Sequence, residues 1–425
     1  MGDNVASAFR HLRRTDEARD VWVDSISINQ ADDVEKSQQV GRMYLIYRYA
    51  HRVIAWLGPE NGESDHALSM LDYLGNQLET TRGGLRFMAI EAEEPTWWDS
   101  VTDLPFSKET WDAITNLLER FWFQRLWVVQ EILLANSLAI VQCGNSIMPW
   151  SVFRRAIICL RYKNNLPSRK LRVLAFHINP MVQDTGAYDF NYLLWQLRSR
   201  VCSDPRDKVY GALGIAPPGL RKMISPDYSL TTGEVYKLAF LSHMRLVQRW
   251  EVFSSSWGTH EILDAPSWVP DLAPPHSTGR IPSRQLAAGH SGIDFTYHPP
   301  NILEVTGLKC ATVISVSSGV PIQGNSHSLL QAIQSWAPND LDKITYPTGE
   351  SLMDAFAITL HQNNMIHRFL RDGEPTLDEW RTYIRDVILA GKDGNEDINT
   401  SSFYATELFR SCYGRDFMTT MEGYI

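Results

Sequence analysis

Glu131 is the residue whose surroundings in sequence first suggest chemistry. If Phe123 to Leu134 is helical, its neighbours one turn away are Trp127, Val128, Leu134 and Ala135, and none is basic. A carboxylate on such an apolar face has no local ion-pair partner. It must find a distant partner, take up a proton, or face a pocket. A partly dry carboxyl group suits general acid–base work or ribose chemistry. The plain alternative is a structural glutamate bonded to a backbone amide or a distant arginine. Asp24 is the second candidate, closing the apolar run Val21-Trp22-Val23, although an aspartate there also serves as an ordinary turn or cap residue. Asn29 and Gln30 follow in a polar loop. They can offer hydrogen bonds to an amide or ribose, or spend them within the loop. Trp22, Trp56 and Trp127 are aromatic groups that line either a pocket or a core. Glu35 stands at capping-box spacing from Asp32, a structural role.

The elements that must position these groups are concentrated in Val21 to Pro59. Val21–Val23 reads as a strand. Val40, Met43, Tyr44, Tyr47 and Ala50 recur at helical spacing, and Val53–Leu57 is a short apolar run stopped by Gly58-Pro59. Two buried strands joined through a helix make a βαβ unit, in which ligands sit beyond the carboxyl ends of the strands. Further along, Asp65–Leu78 reads as a helix, and most of 61–106 as a surface insertion containing Gly83-Gly84. Ser107 caps a helix striped by Trp111, Ile114, Leu118 and Phe121. Ala139–Trp150 reads as a hairpin with a Gly144-Asn145 turn. Beyond it, helices are expected over Ser151–Tyr162, Tyr188–Arg200, Asp204–Gly214, Thr232–Trp250, Ser351–Phe369 and Leu377–Ala390. Strands are expected at Leu303–Val305 and Ala311–Val316. Arg125 is expected to clamp the turn before its helix rather than approach an anion.

The 425 residues exceed a single core, and 44% hydrophobic with 21% charged residues is ordinary globular composition. A formal net charge of −9 disfavours general affinity for nucleic acid or anionic membranes. Arg10–Arg19 is a short basic patch that reads first as a solvated helix face. Five scattered cysteines, with no C-x-x-C, suggest neither a metal site nor a disulfide framework. No run reaches the ~18 apolar residues of a membrane span. The sequon Asn399-Thr400-Ser401 has no secretion signal beside it, and a cytoplasmic location is the expectation. Phosphate-binding glycine motifs are absent, so no cofactor is expected.

Beside this reading stands a resemblance. D-x-x-S-I-N-Q at Asp24–Gln30, then Glu35, Gln39-Val40, Met43, Ala50 and Trp56-Leu57-Gly58, resemble the fungal heterokaryon-incompatibility (HET) domain. Trp122-Phe123-x-Arg125-x-Trp127-x-x-Gln130-Glu131 matches a second block. Asp204–Tyr210 with Leu213-Gly214, and Pro266–Asp271, match segments found downstream. The family's usual Cys in D-x-x-C-I-N-Q is Ser27 here, which removes thiolate reactivity, and no histidine lies near it in sequence to make a Ser–His pair. The opening Tyr-x-Ala-Leu-Ser-Tyr-x-Trp-Gly block of the family is missing. The final Arg-x-Phe-x-Thr…Gly-Tyr run resembles an internal strand of larger members, so truncation at both ends is an expectation.

The order strand–Asp–loop–helix–strand followed by Trp127-Val128-Val129-Gln130-Glu131 is in turn similar to Toll/interleukin-1 receptor (TIR) domains. There the Glu of Trp-Cys-x-x-Glu carries NAD cleavage in the enzymatic members. The resemblance therefore implies Glu131 as the catalytic residue and NAD as substrate rather than cofactor; Asp24, Asn29, Gln30 and Trp127, read from their own positions, are the candidate substrate-binding residues. It implies an α/β fold: a TIR-like or flavodoxin-like HET domain over 1–150 with a small, mainly parallel sheet, and a helix-rich α+β region over 151–425. It also implies nonself recognition leading to regulated cell death, through self-association or another incompatibility protein. A non-catalytic signalling module and a degenerate fragment remain as alternatives.

Overall fold

The computed structural model describes residues 3–14, 16–81, 85–182, 190–250, 264–272, 292–317, 319, 326–341, 345–361, 376–389, 408, 411–412 and 415–425. Helices predominate and the sheets are small, a mixed α/β architecture. Packing divides the chain into two compact units, Met1–Leu246 with Ile262–Ala265, and Val247–Glu261 with Pro266–Ile425. The boundary at residue 150 marks a change in sequence character, whereas the first packing unit continues through the helices that follow it.

The first unit is built on a three-stranded sheet: β1 (Ile54–Trp56), β4 (Ile140–Cys143) and β5 (Ser146–Pro149), in the order β1-β4-β5. β1 and β4 run parallel, pairing Ile54 with Ile140, and β4 and β5 form the expected antiparallel hairpin, pairing Cys143 with Ser146. Gly144 opens that turn at φ +55, a conformation glycine adopts without steric cost. Val53, Ala55, Trp56 and Leu57 are all buried, although β1 is an edge strand of this sheet.

Two expectations are corrected. Val21–Val23 is not a strand: Val23 is extended (φ −139, ψ 123) but pairs with nothing in a ladder, and it serves as N-cap of the short helix α2 (Asp24–Ser27). Strand-forming residues need a partner edge, and here Asn4 and His11 of α1 (Asp3–Leu12) lie against Trp56 of β1. The parallel partner of β1 is instead β4, so the sheet is mixed, with one parallel and one antiparallel pair, rather than mainly parallel.

The helix expected across Val40–Ala50 is two helices, α3 (Asp33–Val40) and α4 (Met43–Tyr49). Asp32 caps α3 by accepting from the amides of Val34 and Glu35. The Glu35 carboxylate reaches the Asn29 amide rather than closing a reciprocal box. α5 (Ser64–Asn76) buries Ala67, Leu68, Leu71, Leu74 and Gly75, one helical face. It packs on α6 (Lys108–Leu118), capped by Ser107 as expected, and on α8 (Trp150–Tyr162). Each leucine on that face contributes about 1.5–3 kcal/mol of burial. Gly75 lets α5 and α8 approach closely: a Cβ there would lie 2.3 Å from the Val152 carbonyl oxygen. The rest of the expected insertion includes a hairpin, β2 (Leu78–Thr80) with β3 (Arg86–Met88).

A 3-10 turn at Phe121–Gln124 leads to α7 (Trp127–Leu133), where one continuous helix was expected. The turn is anchored by Phe123 stacked on Phe153 of α8, 5.7 Å between centroids. α9 (Arg169–Val182), unforeseen in the sequence, packs on α6, α7 and α8. α10 (Phe190–Arg198), α11 (Asp207–Leu213), α12 (Pro218–Met223) and α13 (Thr232–Val247) complete the unit.

In the second unit β6 (Phe295–His298) pairs with β7 (Ile302–Val305), and β8 (Val313–Val316) with the near-terminal β9 (Met418–Thr420). α14 (Ser326–Trp336), α15 (Leu352–Leu360), α16 (Leu377–Tyr383) and a π-helical turn at Ile384–Leu389 surround a core that includes Ile333, Phe356, Trp380 and Phe417. The parts of the expected helices at 188–189 and 362–369, Gly83-Gly84 and the sequon at 399–401 lie outside the described residues. All five cysteines are free, and no helix among the described residues is long and apolar enough to cross a membrane.

Candidate functional site

Glu131 lies in the second half of α7, which faces α4. Four groups from separate elements meet there: Glu131 of α7, Tyr47 of α4, Asp24 at the start of α2, and Arg125 from the extended residue before α7. Burial pushes the Glu131 carboxyl up to about 7, although part of the residue remains accessible. Asp24 raises it further through like charge, while the Arg125 guanidinium and the neighbouring Tyr47 hydroxyl favour the charged form. Desolvation wins, because Arg125 acts without closing to ion-pair distance: among the described residues Glu131 forms no salt bridge. The same neighbours hold the Tyr47 hydroxyl well above its usual range, burial first and then the Glu131 and Asp24 charges. Trp22 closes edge-on against Tyr47 at 5.7 Å.

A carboxyl group balanced near neutrality, beside a second carboxylate and a guanidinium, can exchange a proton at physiological pH or stabilise positive charge.

Asp24 and Glu131, singled out in the sequence, are thus brought together. Asp24 also receives the Ser25 amide at 2.7 Å, a local turn bond. Asn29 is exposed and bonds within its loop, its side-chain oxygen accepting from the Ala31 amide at 3.3 Å. Gln30 is exposed on the same loop. Trp127 donates its indole N–H to the buried Asp207 at 3.1 Å, and Asp207 also accepts from the Tyr228 hydroxyl at 2.5 Å. Gln130 is buried, and its side-chain oxygen accepts from the Gly214 amide at 3.1 Å, fixing α7 against the end of α11.

Arg125 is corrected from turn clamp to electrostatic neighbour of Glu131, because it precedes α7 instead of riding on it. Tyr47 is not among the residues that the sequence singles out for the site, and Trp22 enters there only as an aromatic of pocket or core. A tyrosine on an apolar helix face needs a partner for its hydroxyl, and that was the available signal. The carboxyl end of β1 is differently furnished: Arg120 donates to the carbonyls of Leu57 and Pro59 at 2.9 and 2.8 Å, and Gly144 packs on Glu60.

Residues 1–131, ending on Glu131 itself, match the family described as Heterokaryon incompatibility protein (HET). The chain is also 29% identical over 318 residues to "Heterokaryon incompatibility protein 6, OR allele" of Neurospora crassa, covering 61% of this chain. It spans about half, 46%, of that relative's length. No solved structure matches it. The similarity to the HET domain thus lies in the N-terminal part of the chain.

Proposed function

We propose that the chain acts in heterokaryon incompatibility, nonself recognition that leads to cell death, and that its HET domain cleaves NAD at a TIR-like site centred on Glu131. The observation that carries this is the Glu131 carboxyl held near neutrality beside Asp24, Tyr47 and Arg125. In this reaction the bond between ribose C1′ and the nicotinamide nitrogen breaks, and its electron pair leaves with neutral nicotinamide. The oxocarbenium-like ribose is stabilised by the Glu131 carboxylate and captured by water, which releases a proton. Asp24 adds negative potential, and Tyr47 orients the carboxylate. Asn29, Gln30 and Trp127 are the proposed contacts to the rest of the substrate, in a cytoplasmic protein.

Purified chain incubated with NAD should release nicotinamide, detected by chromatography, and Glu131→Gln should lower the rate at least about a hundredfold with the fold intact. Undiminished release by Glu131→Gln would remove the residue from the mechanism. A second reading, signalling by association without turnover, is favoured by one observation: a cleft of about 1030 Å³ lies away from Glu131, between α5, the β2–β3 hairpin and β5. Absence of nicotinamide release from wild-type protein under every assembly state would favour it.

A further inference from the structure

α11 abuts both helices that carry the Tyr47–Glu131 pair. Gly214, its C-cap, is buried and has ordinary helical angles (φ −64, ψ −26), so the backbone there does not call for glycine. Space does. A Cβ at Gly214 would lie 2.4 Å from Gln130 Oε1 and 2.9 Å from Tyr44 Cβ, pressing on α7 and α4 at once. Glu131 follows Gln130 directly, and Tyr47 lies one turn beyond Tyr44 on α4. The gap across which Tyr47 meets Glu131 is therefore set where Gly214 sits.

The other end of α11 holds α7 through polar bonds. The buried Asp207 accepts the Trp127 indole N–H at 3.1 Å and the Tyr228 hydroxyl at 2.5 Å. Trp127 stands one turn before Glu131 on α7. Tyr228 is in turn tied to α3: its amide donates to Ser37 Oγ at 3.0 Å, and Lys36 Nζ lies 3.7 Å from the centre of its ring. Arg221 covers the Tyr44 ring at 4.4 Å. Residues 207–228 thus touch α3, α4 and α7, yet they lie beyond residues 1–131, which match the HET family. Burial is the first cause of the raised Glu131 carboxyl, and burial depends on how closely α4 and α7 are held.

We propose that the segment from Asp207 to Tyr228 is an integral part of the Glu131 site, with Gly214 and Asp207 as positioning residues: Gly214 sets the gap between α4 and α7, and Asp207 anchors α7 through Trp127. Its consequence for rate rests on the reading of Glu131 as the NAD-cleaving carboxylate, whereas its consequence for the Glu131 environment does not.

Variants of the full chain test it by two readouts. The titration of Glu131, followed at its side-chain carbon by NMR, should fall by about one pH unit or more in Gly214→Ala and in Asp207→Ala, because water reaches the carboxyl as α4 and α7 part. Asp207→Asn removes the same charge but keeps an oxygen for the indole N–H, and should stay near the wild type. In Gly214→Ala, kcat for nicotinamide release should drop at least about tenfold with KM little changed, as expected when a reacting group is misplaced. Gly75→Ala presses α5 from α8, away from Glu131, and should leave both readouts alone while destabilising the same unit. A Glu131 titration unmoved or raised in Gly214→Ala and Asp207→Ala, an equal fall in Gly75→Ala, or an Asp207→Asn that falls as far as Asp207→Ala would overturn the proposal. Should Gly214→Ala fail to fold, the Asp207 pair decides it. A wild type that releases no nicotinamide would remove the NAD reading, and the titration would still decide the positioning.

Discussion

Replacing Glu131 by glutamine should change how stability depends on pH. The folded chain raises this carboxyl from an ordinary 4.5 to about 7. Between those values the folded state holds a proton that the unfolded chain releases. The contribution is therefore fully present below about pH 4.5 and is lost as pH rises through about 7. A displacement of about 2.5 units, at ~1.4 kcal/mol per unit, amounts to roughly 3 kcal/mol. This is an upper value, because part of the residue touches solvent. Glutamine cannot ionise, so Glu131→Gln escapes the loss. Urea unfolding followed by tryptophan fluorescence, run from about pH 4.5 to 8.5, should show the variant gaining up to roughly 3 kcal/mol on the wild type across the window. An altered contact with Tyr47 adds a constant offset, whereas the reasoning concerns the slope. Parallel stability curves for the two proteins would refute it, showing a Glu131 carboxyl that titrates as it does in the unfolded chain.

The neighbours of that carboxyl give two opposed predictions. Asp24→Asn removes a like charge, so the titration of Glu131, read from its side-chain carbon by NMR, should move to lower pH; Arg125→Gln removes the stabilising cation and should move it higher. Shifts of the same sign in both would mean that the substitutions act through structure instead of charge. Gly75→Ala should destabilise the first unit by about 1–3 kcal/mol in urea unfolding, since its Cβ would press on the Val152 backbone oxygen at 2.3 Å and α5 would have to move off α8. Unchanged stability would show that the helices yield there at no cost.

Local pattern was enough for several elements, because the forces that set them act over a few residues. The Gly144-Asn145 hairpin, the Ser107 and Asp32 caps, the buried run around Ala55 and the face of α5 all follow from spacing and turn chemistry. α9 escaped notice since its apolar residues are interrupted by Asn179 and Pro180 near its end. The missing cation around Glu131 could also be read from the helix, along with the need for a distant solution.

What that solution is, tertiary structure alone decided. Val21–Val23 has the residues of a strand, yet a strand exists only where another backbone edge is free to pair, and β1 takes β4 as its parallel neighbour. Arg125 and Tyr47 stand 6 and 84 residues from Glu131 in the chain, and neither separation says that their side chains converge. Burial supplies the rest: desolvation depends on the mass of protein packed around a carboxyl group, a quantity set by α4, α7 and the turn at Asp24 together and written in no single stretch of sequence.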